Sequence, residues 1–155
     1  MQHFSWGEAC LVYVDSPLQL KNALSLVRNH AAKSCDVYFL VNVPENGKAS
    51  LQMTRYLTSL KKEFKCEVLK GGGYRKYISL VSFLRKKETV FTTLIRGHYC
   101  SDITWLLRSV LQVSEFVLVD DGTDTLWVHH CLSDQDRFHF ITPQSINFQL
   151  KKLFL

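Results

Sequence analysis

Apolar residues fall along this chain in two alternating patterns. Short, mostly apolar runs occur at Ala9-Cys10-Leu11-Val12-Tyr13-Val14, Val37-Tyr38-Phe39-Leu40-Val41, Cys66-Glu67-Val68-Leu69, Val90-Phe91-Thr92-Thr93-Leu94-Ile95 and Phe116-Val117-Leu118-Val119. Their length and their β-branched and aromatic content predict strands, and Ala9 to Val14 and Phe116 to Val119 read as buried ones. Between them apolar positions recur at helical spacing. The first such set is Leu18, Leu20, Ala23, Leu24, Leu26 and Val27, leading to Ala31-Ala32. The next are Leu51, Tyr56, Leu57, Leu60 and Phe64, then Ile78, Leu80, Val81, Phe83 and Leu84, then Ile103, Leu106, Leu107, Val110 and Leu111. This βαβα alternation predicts an α/β fold, a Rossmann-like doubly wound parallel sheet with helices on both faces. Arg137-Phe138-His139-Phe140-Ile141-Thr142 reads as a sixth strand or an excursion.

Local chemistry supports these boundaries. Ser16 before Pro17 is an N-cap followed by proline at the first helical position. Pro44 and Gly47 break the 42–48 loop. Ser101 or Asp102 caps the fourth helix, and Arg85-Lys86-Lys87 suits the negative end of the third. Gly71-Gly72-Gly73 lacks the GK[ST] ending of a phosphate cradle and reads as a plain loop.

A chain of 155 residues, 46% hydrophobic and 21% charged, is predicted to form one ordinary domain, neither disordered nor membranous. Cys10, Cys35, Cys66, Cys100 and Cys131 have no CxxC pairing, which argues for a reducing compartment and against a disulfide framework or structural zinc. No basic leader or span of about 20 apolar residues is visible, so a cytoplasmic location is expected, with peripheral contact at the inner membrane left open. The net charge of +5 is uneven, with basic residues concentrated from Arg55 to Lys87 and acids from Glu88 to Asp136. The basic stretch is either a solvated helix face or a surface for an anionic partner. No interleaved aromatics mark it as a nucleic-acid reader.

If the strand order is 3-2-1-4-5, the winding reverses between strands one and four. The loops after strands one, four and five then line the crevice at that switch point. Those loops carry Asp15-Ser16-Pro17-Leu18-Gln19, Gly97-His98-Tyr99 and Asp120-Asp121-Gly122-Thr123. Two adjacent carboxylates repel, so one of them can hold its proton more tightly and act as a base near neutrality. The plainer alternative is an Asx-turn with Thr123 capping a helix. Capping alone explains Ser16-Pro17, and His98 is read either as an exposed loop histidine or as a site residue. His129-His130-Cys131 lacks regular ligand spacing, so no metal is expected. Neither a Gly-x-Ser-x-Gly elbow nor a GxGxxG fingerprint is present.

Three segments in this order resemble the bacterial sialyltransferases of GT-B architecture, the lipooligosaccharide sialyltransferase and polysialyltransferase-like families. They are Ser16-Pro17-Leu18-Gln19-Leu20, Ile95-Arg96-Gly97-His98-Tyr99-Cys100-Ser101 and Val119-Asp120-Asp121-Gly122-Thr123-Asp124-Thr125-Leu126. The last resembles the family's D/E-D/E-G motif. The resemblance implies inverting, metal-independent transfer of sialic acid from CMP-sialic acid to a glycan hydroxyl, with no cofactor. Asp121 would be the general base and Asp120 would orient or tune it. Ser16, Gln19, Gly97, His98, Tyr99, Gly122 and Thr123 would contact substrate, and His98 would meet the acceptor or the donor carboxylate. The implied acceptor is lipooligosaccharide or capsular polysaccharide, with no nucleic-acid partner.

The family's His-Pro pair is absent, because Pro17, Pro44 and Pro143 follow Ser16, Val43 and Thr142. Residues 1–155 therefore read as the N-terminal, acceptor-side half of a GT-B enzyme. The apolar ending Phe148 to Leu155 reads as a chain that continues into a nucleotide-sugar domain, so that this half alone would be inactive. A GT-B transferase using another nucleotide sugar, or a non-catalytic α/β binding domain, remains the alternative.

Overall fold

A computed structural model describes residues 7–31, 34–69, 74–98, 101–111 and 113–119. Its elements alternate as the periodicity predicts. They are β1 (Ala9–Val14), α1 (Pro17–His30), β2 (Asp36–Asn42), α2 (Lys48–Glu63), β3 (Lys65–Leu69), α3 (Tyr74–Lys86), β4 (Thr93–Arg96), α4 (Asp102–Leu111) and β5 (Glu115–Leu118). The five strands form one sheet in the order β3-β2-β1-β4-β5. Every neighbouring pair is parallel, with β1 set between β2 and β4. The fold is an α/β, Rossmann-like one, and its winding reverses between β1 and β4.

The alternation of side chains along β1 divides the core in two. Leu11 and Tyr13 face a layer that includes Leu80 and Phe83 of α3 and Ile103, Leu106 and Leu107 of α4. Cys10, Val12 and Val14 face the other layer, with Leu20, Ala23, Leu24 and Val27 of α1 and Met53 and Leu60 of α2. Buried on both faces, a central parallel strand has no place for a polar residue, so β1 reads as an unbroken apolar run.

Three boundaries carry physical information. Ser16 adopts extended backbone and its Oγ accepts from Gln19 N at 3.2 Å, so it is the N-cap of α1 with Pro17 beside it. Gly47 precedes α2 with φ of 95°, a conformation that favours glycine. The fourth strand is shorter than its apolar run. Thr92 N and Oγ1 both donate to Ala9 O, at 3.0 and 3.1 Å, and ladder pairing starts only at Thr93. Phe91 is turned into the core instead, edge-on to Tyr38 at 5.3 Å and stacked near Phe83 at 6.4 Å, while Val90 stays exposed.

The predicted glycine loop at 71–73, the sixth strand at 137–142 and the apolar ending from Phe148 lie outside the described residues. No helix among the described residues is long and apolar enough to cross a membrane.

Candidate functional site

A buried arginine organises the switch point. Arg96, the last residue of β4, is fully buried although the sequence marks it only as the charge that ends an apolar strand. All five of its N–H donors have acceptors. Nε donates to Thr104 Oγ1 at 3.0 Å, and one terminal nitrogen donates to Gln19 Oε1 at 3.1 Å and to Tyr13 O at 3.5 Å. The other donates to Asp15 Oδ2 at 2.8 Å and to Ser101 Oγ at 3.1 Å. The guanidinium also lies 4.3 Å from the centre of the Tyr13 ring, within cation–π range. A buried charge is tolerated because it is both paired and hydrogen-bonded.

Both neighbouring loops depend on that network. After β1, Gln19 Oε1 accepts from Asp15 N at 3.1 Å as well as from Arg96, which ties the first turn of α1 back to its entry loop. After β4, Ser101 Oγ accepts from Thr104 N at 3.2 Å, which makes Ser101 rather than Asp102 the side-chain cap of α4. Thr104 gives its single hydroxyl proton to His98 O at 2.5 Å. The 2.9 Å contact between Ser101 and Thr104 therefore runs with Ser101 donating. Gly97 is needed for close approach, since a Cβ there would lie 2.6 Å from Gln19 Cδ.

Electrostatics at Asp15 are a contest. Burial alone would raise its pKa, but the Arg96 charge and hydrogen bond, helped by His98 and Gln19, hold it below the ordinary 3.8. Asp15 is an ionised carboxylate in the loop wall, with its side chain 27% exposed.

Of the residues named from sequence, Ser16, Gln19, Gly97 and His98 are gathered in this wall. Ser16 acts through its cap, Gln19 is 1% exposed and occupied by Asp15 and Arg96, and Gly97 lies against Gln19. His98 is half-buried and lends its carbonyl to Thr104. Tyr99, Asp120, Asp121, Gly122 and Thr123 lie outside the described residues. Val119, directly before Asp120, is buried, and its N–H donates to Arg96 O at 2.9 Å.

No family model, curated protein or solved structure matches the chain.

Arg96 and Asp15 were not singled out by sequence reasoning. The only local signal is an arginine closing an apolar strand. Its partners Asp15 and Gln19 are 81 and 77 residues away, so local pattern could not pair them. Among the described residues no three His, Cys, Asp or Glu side chains cluster as a metal ion would require.

Proposed function

We propose that the chain is the acceptor-side half of an inverting, sialyltransferase-like glycosyltransferase that uses CMP-sialic acid. One observation carries the reading. The loops after β1 and β4 are locked together through Arg96, and the hydrogen bond from Val119 N to Arg96 O ties the chain to the same residue just before Asp120. Three segments of the resemblance thus meet on one residue at the switch point, the place where open α/β sheets bind ligands.

In this reading Asp121 takes the proton from an acceptor hydroxyl as that oxygen attacks the anomeric carbon and CMP departs. A sugar hydroxyl is a poor nucleophile until a placed carboxylate removes its proton. Asp120 orients the turn or tunes its neighbour. The Arg96 network joins the loops after β1 and β4 into one wall, against which an acceptor could be oriented for attack. In this reading residues 1–155 do not supply the donor site, because the His-Pro pair of the resembling families does not occur in them.

The test is Asp121→Asn in the natural full-length protein, assayed for CMP release from CMP-sialic acid with a glycan acceptor. Loss of a general base should cost about a hundredfold or more in rate with little change in thermal stability. Undiminished transfer would remove Asp121 from the mechanism.

A further inference from the structure

We infer that the α1–α2 face is a docking surface for an anionic phospholipid bilayer. An open groove of about 560 Å³ runs between these helices, and its lining includes Leu18, Lys21, Arg55 and Tyr56. Leu18 and Tyr56 are 46% and 41% exposed, and Leu51 on the outer side of α2 is 66% exposed. Three of the five large apolar residues exposed among the described residues therefore lie on this face, the others being Ile78 and Val90. Helical geometry sets Lys48, Leu51 and Arg55 within an arc of about 60° on α2. The face thus combines apolar tips and cations along one side of the helix.

Among the described residues these cations enter no ion pair. The ion pairs among the described residues join Arg28 to Glu63, Lys65 to Asp36 and Arg96 to Asp15, which leaves Lys21, Lys48 and Arg55 without a carboxylate. An anionic headgroup layer complements three such charges, and the acyl boundary beneath it accepts Leu18, Leu51 and the Tyr56 ring. A soluble polyanion would satisfy the charges but give the apolar tips nothing. That difference decides for the bilayer. Helices α1 and α2 both begin at the carboxyl ends of their strands, so the surface adjoins the switch-point end of the sheet. The inference needs only this surface, so vesicle binding and glycan transfer can fail independently of each other.

The experiment is co-sedimentation of the chain with phosphatidylcholine vesicles, with and without about one-third phosphatidylglycerol. Binding is expected only to the anionic vesicles and should fade with added salt. Lys21→Gln, Lys48→Gln and Arg55→Gln together should weaken partitioning about a hundredfold, at roughly fivefold per charge. Leu18→Ser with Leu51→Ser, which alters no charge, should weaken it about tenfold or more. The control removes three charges from α3, on the opposite face of the sheet, by Arg75→Gln, Arg85→Gln and Lys86→Gln. It should bind within about threefold of the unaltered chain, because charges beyond a Debye length are screened. All the substituted residues are exposed, and circular dichroism verifies the fold. Equal binding to neutral vesicles, equal loss from the two charge triplets, or no effect of the leucine pair would each overturn the proposal. The last result, together with displacement by heparin, would assign the face to a soluble polyanion.

Discussion

Arg96 on β4 donates to Asp15 Oδ2 at 2.8 Å, closing an ion pair between residues 81 positions apart. The arginine is fully buried and the aspartate partly exposed, so the pair faces the crevice from one side only. It joins the two loops between which the sheet reverses its winding, and four further hydrogen bonds from the same guanidinium fix its orientation.

Replacing Arg96 should be costly whatever the protein's chemistry. Arg96→Met removes the charge but leaves Gln19, Thr104 and Ser101 without their buried donor. A loss of about 3–5 kcal/mol is expected, the range for breaking one partner out of a buried pair. Arg96→Lys should recover only part of this, because an ammonium has three donors and no planar fork. Urea denaturation of the two variants measures both. A change under about 1 kcal/mol in Arg96→Met would show that the network is not what holds the loops.

Gly97 and Gln19 should behave as a coupled pair. Gly97→Ala forces a Cβ to within 2.6 Å of Gln19 Cδ, and overpacking of this kind costs about 1–3 kcal/mol. In a Gln19→Ala background the obstructing atoms are gone, so the same glycine substitution should cost markedly less. A double-mutant cycle reads the difference directly, and additive effects would contradict the contact.

Asp15 should make stability depend on acid pH. Its folded pKa lies below the ordinary 3.8, because burial, the largest single influence, is outweighed by the Arg96 charge and hydrogen bond together with His98 and Gln19. A carboxylate lowered on folding contributes stability that is fully present above its unfolded pKa and is lost as pH falls through the folded value. Asp15→Asn should therefore be less stable than the parent at pH 7. The gap should narrow steadily below about pH 4. Urea midpoints taken from pH 7 downward give the profile, and a constant gap would mean that Asp15 does not titrate with folding.

Thiol reactivity gives an independent check on packing. Burial pushes the Cys66 thiol up to about 11, and the more deeply buried Cys10 higher still. At pH 8 a group with pKa near 11 is thiolate about one time in a thousand, against roughly a quarter for an ordinary thiol near 8.5. Peptide-mapped alkylation of the native protein should find Cys66 roughly a hundredfold slower than after unfolding, with Cys10 slower again. Rapid native labelling of Cys10 would contradict its place in β1.

Much of the fold was legible because it follows from local rules. Apolar runs and helical spacing identify the nine elements of the described residues, and Ser16-Pro17 marks the start of α1 to the residue. Boundaries were less secure where one residue served a different neighbour. Val90 and Phe91 have strand chemistry, yet Phe91 was drawn into an aromatic contact with Tyr38 and Phe83 and the ladder began two residues later. The choice between Ser101 and Asp102 as cap also needed coordinates, since both side chains can accept from a helix N–H.

The sequence by itself determined the α/β alternation, the apolar character of β1 and the polar residues at its carboxyl end, because backbone periodicity and burial on two faces act within a few residues. It also marked Ser16, Gln19, Gly97 and His98 as neighbours of one crevice once a strand order was assumed. Only the tertiary structure decided that Arg96 is buried and that Gln19 and Asp15 are its partners. A charged residue at a strand end reads as exposed unless acceptors arrive from elsewhere. Here they arrive from β1, from α1 and from α4, brought together by a sheet order that no local pattern encodes.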